Sequence, residues 1–464
     1  MKRFISLSKT VFIVLFLLAA ISAQPEETVS PTEPVRDQGK MTLAALGDCI
    51  LNQRVSVLKD PGFLKLVNLI READCTWGNC ESSIVDVRNA YPEFHTDVPL
   101  YAEPWIVEEF KWLGIDLVGC ANNHAMDYGY TGLFSTIETL ERAGIGYAGI
   151  GKNLEYASRP RYINISGGRI GQVNSASSIH PGTFASPSHP YMNGRPGLNP
   201  LRTSDICEVD KQTFDTLKKI EKDTYKFFEE EPRGLEKPKE NEVVLAELKF
   251  VPAEKFNYIT NINESDLKRI TEAIKIARRN SRIVIASNHE HRGMKNSTLP
   301  AKFIETFAHA CIDAGADVFI GTGPHRIWGI EIYKNKPIFY SLGNTFFNAS
   351  SIDSHAEKYS EFGLNPNTID PSEVEEKILK EYFKDDFYWQ SFIPIITFGK
   401  NNEITDILIH PITLGKDQPH YKKGIPELAG EKDAKIILET LQKLSEPFKT
   451  KILFSDGTGI IKLE

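Results

Sequence analysis

Between residues 41 and 347 the chain alternates short apolar runs with amphipathic stretches of helical period. MTLAALG (41–47), CTWGN (75–79), IDLVGCA (115–121), RIVIASN (282–288) and ADVFIG (316–321) read as buried strands. FLKLVNLIREA (63–73), PWIVEEFKWLG (104–114), TGLFSTIETLERAG (131–144) and FIETFAHACIDAG (303–315) read as helices. The stretch 104–114 has Pro at its first position and Gly after its end, which marks both helix boundaries. RYINISGGRIGQVNSAS (161–177) reads as a hairpin turning on GG, and IWGIEIYKNKPIFYSLGN (327–344) as one turning on KN. Strands and helices alternating in this way predict an α/β layered fold with mixed sheets.

Two segments interrupt the pattern. Residues 176–262 hold the Ser/Pro/Gly-rich loop SPSHPYMNGRPGLNPLR and then an amphipathic helix with Phe214, Leu217, Ile220, Thr224 and Phe227 on one face. That helix packs on the rim with its charged face in water or, as the alternative, forms a lid over a site. Residues 351–385 are a second polar insertion. The tail 386–464 carries alternating strands, FIPIITFG and ITDILIHPITLG, and a helix near 432–445. The predicted organisation is a core domain over 41–347 with 176–262 inserted in it. The second insertion and a β-rich extension, 348–464, pack on that core.

The N-terminus follows different rules. Lys2, Arg3 and Lys9 precede or flank VFIVLFLLAAISA (11–23), and small residues stand before Gln24. This predicts an export signal over 1–23, with an uncleaved anchor as the alternative; a full span takes about 20 apolar residues. Residues 24–40, QPEETVSPTEPVRDQGK, read as a flexible linker. The expected location is the periplasm or cell surface. The formal charge of −8 becomes −11 without Lys2, Arg3 and Lys9. Nucleic acid is therefore disfavoured as a partner, because neutralising phosphates needs a basic face. The six cysteines, Cys49, Cys75, Cys80, Cys120, Cys207 and Cys311, form no CxxC pair. An exported chain allows disulfides, while the apolar settings of Cys49, Cys120 and Cys311 suit buried free thiols.

Polar groups gather where the predicted strands stop. Asp48 ends the first, Glu81 the second and Asn122-Asn123-His124 the third, with Asp127 close behind. His289-Glu290-His291 ends the strand 282–288, and His325 ends the last. Singly, such residues are turn formers or helix caps. Five together are another matter, since strand ends of an open α/β sheet converge on one crevice. Within a strand His289 and His291 face the same way, so both imidazoles can meet one ion. Mixed carboxylate, amide and imidazole groups suit divalent Mn, Fe or Zn. Arg292 and Arg326 each follow a site histidine, where a cation favours an anionic substrate or forms a surface ion pair.

The order GDC, NCE, ANNHAMDYG, NHEHRG, GTGPH and GIEIYKNKPIFYSLGN resembles the CapA/PgsA family of capsule (poly-γ-glutamate) synthesis proteins. GRPGLNPLR (194–202) looks like a feature of one subgroup. The resemblance covers about 41–347 and implies a calcineurin-like metallophosphoesterase fold. It implies that Asp48 ligates a first metal, Glu81 bridges, and Asn123 ligates a second. It makes His124 the general acid, oriented by Asp127, with His289 or His291 and His325 as further ligands. One or two divalent ions (Mn, Fe, Zn or Mg) would serve a hydrolase or transferase acting on poly-γ-glutamate or a related anionic surface polymer. Membrane-bound capsule synthase subunits would be its partners. The alternative is a non-catalytic accessory protein that binds or exports the polymer; a plain nucleotidase is a weaker third. One departure stands out. The family turn is commonly Gly-His-x-Pro-His, and here Thr322 takes the first histidine's place. A hydroxyl is a weak ligand for most of these ions, so a second metal would be looser, different or absent unless the His289/His291 pair compensates.

Overall fold

A computed structural model describes residues 39–463, apart from 94–97, 179, 229–238, 246–247, 295–297, 349–351 and 353–355. The predicted export signal, and all of the linker but Gly39 and Lys40, lie outside the described residues. From Gly39 onward the chain forms one compact unit. No helix among the described residues is long and apolar enough to cross a membrane.

Two mixed sheets pack face to face. In the first, β1 (Met41–Ile50), β2 (Cys75–Cys80), β3 (Leu117–Gly119) and β4 (Gly146–Ala148) run parallel as neighbours. The second is six-stranded among the described residues. It comprises β5 (Arg161–Ile165), β6 (Gly168–Ala176), β7 (Ile283–His289), β8 (Val318–Thr322), β9 (Ile330–Tyr333) and β10 (Lys336–Phe339). The chain then returns to the first sheet. β11 (Asn344–Phe347) pairs with β1 in parallel, and β12 (Gln390–Phe398) lies antiparallel to β1. β13 (Ile404–Thr413), β14 (Leu453–Ser455) and β15 (Thr458–Ile461) complete that edge.

Period-two alternation assigns the faces. On β7, Ile283 and Ile285 point between the sheets while Val284 and Ala286 point out; on β8, Val318 and Ile320 point in and Phe319 out. The inner core joins these to Leu43, Trp77 and Leu117 of the first sheet, the arrangement of two sheets packed face to face. Helices Pro61–Glu72, Ile106–Leu113 and Gly129–Ala143 cover the outer face of the first sheet. Helices Glu264–Asn280 and Lys302–Asp313 cover the second. The layers are thus helix, sheet, sheet, helix, which bears out the α/β layered class with mixed sheets.

Local signals hold where they were strongest. Gly114 ends its helix in the left-handed region (φ 89°), its N–H bonded to the Lys111 and Phe110 carbonyls. Lys334 and Asn335 both take positive φ, as a two-residue hairpin turn requires. The tail contributes strands to the first sheet itself, with β12 hydrogen-bonded along β1. The six cysteines are buried free thiols in the structure.

The first insertion forms its own small sheet from Thr203–Val209, Val243–Leu245, Leu248–Pro252 and Asn257–Ile262. Asp266, fully buried, clamps this insertion to the core. Its carboxylate accepts from Arg202 N (2.9 Å), Nε (2.7 Å) and Nη2 (2.8 Å), and from Arg269. Burial raises the Asp266 carboxyl, but the Arg202 and Arg269 guanidiniums outweigh it and hold it below its usual value. A depressed folded-state pKa contributes stability above the unfolded value, about 4, and loses it as pH falls through the folded value. Asp266→Ala is expected to cost about 2 kcal/mol in urea unfolding at neutral pH. The variant should also lose stability less steeply than the native chain below about pH 4.

Candidate metal centre

The carboxyl ends of β1, β2, β7 and β8 meet along one edge of the sandwich, and the polar residues of the sequence motifs collect there. Glycine makes the approach possible. A Cβ on Gly47 would lie 1.8 Å from the Gly343 carbonyl oxygen, and that same oxygen accepts from Asp48 N at 3.0 Å. The β1–β2 register slips between Ala45 and Asp48, which places Asp48 beside Asn79 on one side and Asn344 on the other.

Two overlapping triads result. One ligand-type atom each from Asp48, Glu81 and His289, and one each from Glu81, His291 and His325, lie within 4.8 Å of one another. Glu81 belongs to both. Its Oε1 is buried without a hydrogen-bond partner, 3.7 Å from His289 Nε2 and 3.5 Å from His325 Nε2. Asn123 Oδ1 lies 2.7 Å from His289 Nε2 and 3.2 Å from His291 Nε2. Asn79 Nδ2 donates to Asp48 (2.8 Å) and Glu81 (3.2 Å).

Burial and mutual charge set the protonation states. Burial raises the Asp48 carboxyl, yet His325 and His289 outweigh it and hold it well below the carboxylate range. Burial, with the charge of Asp48 beside it, pushes Glu81 well above that range. Burial and the neighbouring imidazoles drive His289 well down, and push His291 down to about 3. Neutral imidazoles are the ligating form. A buried carboxylate oxygen with no donor, between neutral imidazoles and a second carboxylate, fits a divalent cation.

The surrounding residues aim the ligands. His325 Nδ1 is 2.9 Å from Asn344 Oδ1 and 3.4 Å from Asp48 Oδ2. Its backbone sits in the left-handed region (φ 55°), following Gly323 at φ 114°. His289 Nδ1 is 3.0 Å from Thr322 Oγ1. Thr322 therefore supports the back of a ligand ring, a part that the turn motif alone did not convey. Beside the triads, Asp127 Oδ2 accepts from His124 Nδ1 (2.7 Å) and from Leu100 N (2.7 Å). Asp127 is fully buried and His124 is 13% exposed, so the imidazole keeps one edge open.

Asp48, Glu81, Asn123, His124, Asp127, His289, His291 and His325 are thus brought together. The two arginines are engaged elsewhere. Arg292 bonds Glu290 (2.9 and 3.0 Å), Thr203 (3.0 Å) and Asp205 (3.4 Å). Arg326 stacks on Phe387, its guanidinium carbon 3.9 Å from the ring centre. The sequence reading did not single out Asn79 and Asn344 as site residues, and it took Thr322 for a weak replacement ligand and not for a support of His289. Asn79 and Asn344 stood inside motifs it quoted, NCE and SLGN.

A helix–sheet–sheet–helix sandwich with carboxylates and imidazoles gathered at its strand ends defines a layered α/β protein with a centre suited to divalent metal. The chain belongs to the bacterial capsule synthesis protein family, PGA_cap, whose family model it matches over residues 42–349. It is 33% identical over 436 residues to the uncharacterised protein y4sH of Sinorhizobium fredii, covering 91% of this chain and 93% of that one. It is 25% identical to the capsule biosynthesis protein CapA of Bacillus anthracis (72% and 66% covered). It is 22% identical to the PGA biosynthesis protein CapA of Bacillus subtilis (85% and 88%).

Thr322→Val removes the hydroxyl behind His289 at little change in volume. Loss of such a partner behind a ligand costs about 10–100-fold in metal affinity. Titration with Zn or Mn should show a weakening of that size with an unchanged melting temperature in chelator.

Proposed function

We propose that this protein serves capsule polymer synthesis as an exported, metal-dependent hydrolase or transferase. The observation that carries the reading is Glu81, shared by two ligand triads next to a partly exposed His124 held by the buried Asp127. The relatives named for capsule and PGA biosynthesis support the polymer setting, with poly-γ-glutamate or a related anionic polymer as the partner. Membrane-bound synthase subunits are the proposed assembly partners, and the predicted signal over 1–23 supports export.

One or two ions of the Mn, Fe, Zn or Mg type would be held by Asp48, Glu81, His289, His291 and His325, with Asn123 completing the set. A bound divalent ion supplies Lewis-acid activation of water and of the scissile group. The chain's own residues do the rest. Asp127 accepts from Nδ1–H of His124 and fixes its tautomer, leaving Nε2 toward the open side. In its doubly protonated form, with Asp127 balancing the charge, His124 delivers the Nε2 proton to the leaving oxygen or nitrogen. Leu100 N donates to the same Asp127 oxygen, Oδ2, so the pair keeps its orientation.

Metal content measured alongside turnover tests this. The purified mature chain, loaded with Mn or Zn, is assayed on bis-p-nitrophenyl phosphate and on poly-γ-glutamate. Asp48→Ala should lose metal and turnover together. His124→Ala should keep metal while kcat falls about 10²–10⁴-fold. Polymer binding that persists in both variants, with no turnover in the native chain, would favour the accessory reading, the one in the name of a Mycobacterium tuberculosis relative, "probable polyglutamine synthesis accessory protein".

A further inference from the structure

A cavity of about 300 Å³ opens directly beside the metal centre. His124, His325 and Asn348 are among its lining residues. The remaining wall is almost wholly hydrocarbon: Ile50, Leu100, Phe347, Leu379 and Phe383 are its main surfaces. A volume of this size is at the lower end of what small-molecule sites enclose, and a chain selected for stability alone fills such a void with side chains.

The second insertion builds much of this wall. Its helix Pro371–Tyr382 buries Val374, Ile378 and Leu379 and turns its charged residues outward. Ile378, Leu379 and Tyr382 of that helix, with Phe383 just after it, line the cavity. The first insertion contributes no lining residue; the wall comes from the segment that the sequence reading took for a plain polar insertion. One lysine reaches the lining, Lys358, and its ammonium is 2.8 Å from the Glu361 carboxylate, which also accepts from Tyr382 Oη. That cation is thus already compensated. Arg326 is stacked on Phe387 and Arg292 is tied to Glu290.

A polymer with a carboxylate on every residue has no business in such a cavity. Each carboxylate set against Phe347, Leu379 or Phe383 would be desolvated without a counter-charge. Yet the same cavity is also lined by His124 and His325 of the metal centre, where a bound divalent ion would attract an anionic group. We propose that the site binds an amphiphile: an anionic phosphate-type head at the metal centre, joined to a hydrocarbon tail that fills this cavity. This rests on the reading of the centre given above and specifies its substrate class. The polymer would enter from the open side, and the cavity would hold the lipid-like end of the molecule to which the chemistry is applied.

The test is a binding series with monoalkyl phosphates, from ethyl to octyl, titrated calorimetrically into the metal-loaded full chain. Affinity should rise about fourfold per added methylene until the cavity is full. Leu379→Trp, which fills the cavity from its helix side, should leave ethyl phosphate binding intact and abolish the rise. A flat series in the native chain overturns the proposal outright, whether or not the variant folds. So does a rise that survives Leu379→Trp, or displacement of octyl phosphate by a short γ-glutamyl oligomer at matched concentration. The two proposals fail separately. A flat series with turnover that depends on Asp48 sinks only the tail cavity; a steep series with no turnover sinks only the catalysis.

Discussion

Everything at the sheet edge follows from placing two carboxylates, Asp48 and Glu81, side by side away from water. Burial disfavours both charges, and the charge of Asp48 pushes Glu81 further toward its neutral form. The fold answers with Asn79, which donates to both, and with imidazoles delivered by two neighbouring strands of the second sheet. That answer is incomplete while Glu81 Oε1 lacks a donor. A buried charge pair that is only partly compensated costs stability, so the sandwich has to be rigid and thickly covered to tolerate it. The helical layer on each outer face supplies that cover.

The sandwich was legible in the chain because its strands are buried on both faces and its helices on one. Such strands read as unbroken apolar runs, as in 282–288, and such helices as periodic ones, as in 303–315. The convergence of motifs was legible for the same reason: a parallel strand delivers whatever follows it to the same edge. What escaped was pairing over long distance. Nothing local in FIPIITFG says that it will lie along MTLAALG, more than three hundred residues earlier. Short β11 was also invisible, since its pairing with β1 is set by the Gly47–Gly343 contact and not by any period of its own.

Within the centre, candidate ligands were legible as residue types at strand ends, and the contacts that position those ligands were not. Asn344 and Thr322 matter through what they hold, His325 and His289, and that relation exists only in three dimensions. The arginines erred in the other direction. Adjacency to a histidine suggested a shared site, but consecutive residues diverge at a strand end, and Arg292 turns to Glu290 and the inserted sheet.

The left-handed backbone at His325 has a separate consequence. A side chain with a Cβ is held there at a cost of about 1–2 kcal/mol that glycine would not incur. Histidine is therefore the worse residue for the loop and the better one for the centre. A lineage of this chain that gave up the chemistry would gain stability by drifting to glycine at this position. The imidazole at 325 is thus the spot where the demands of folding and of the centre are directly opposed, and its identity in any relative discloses which of the two prevails.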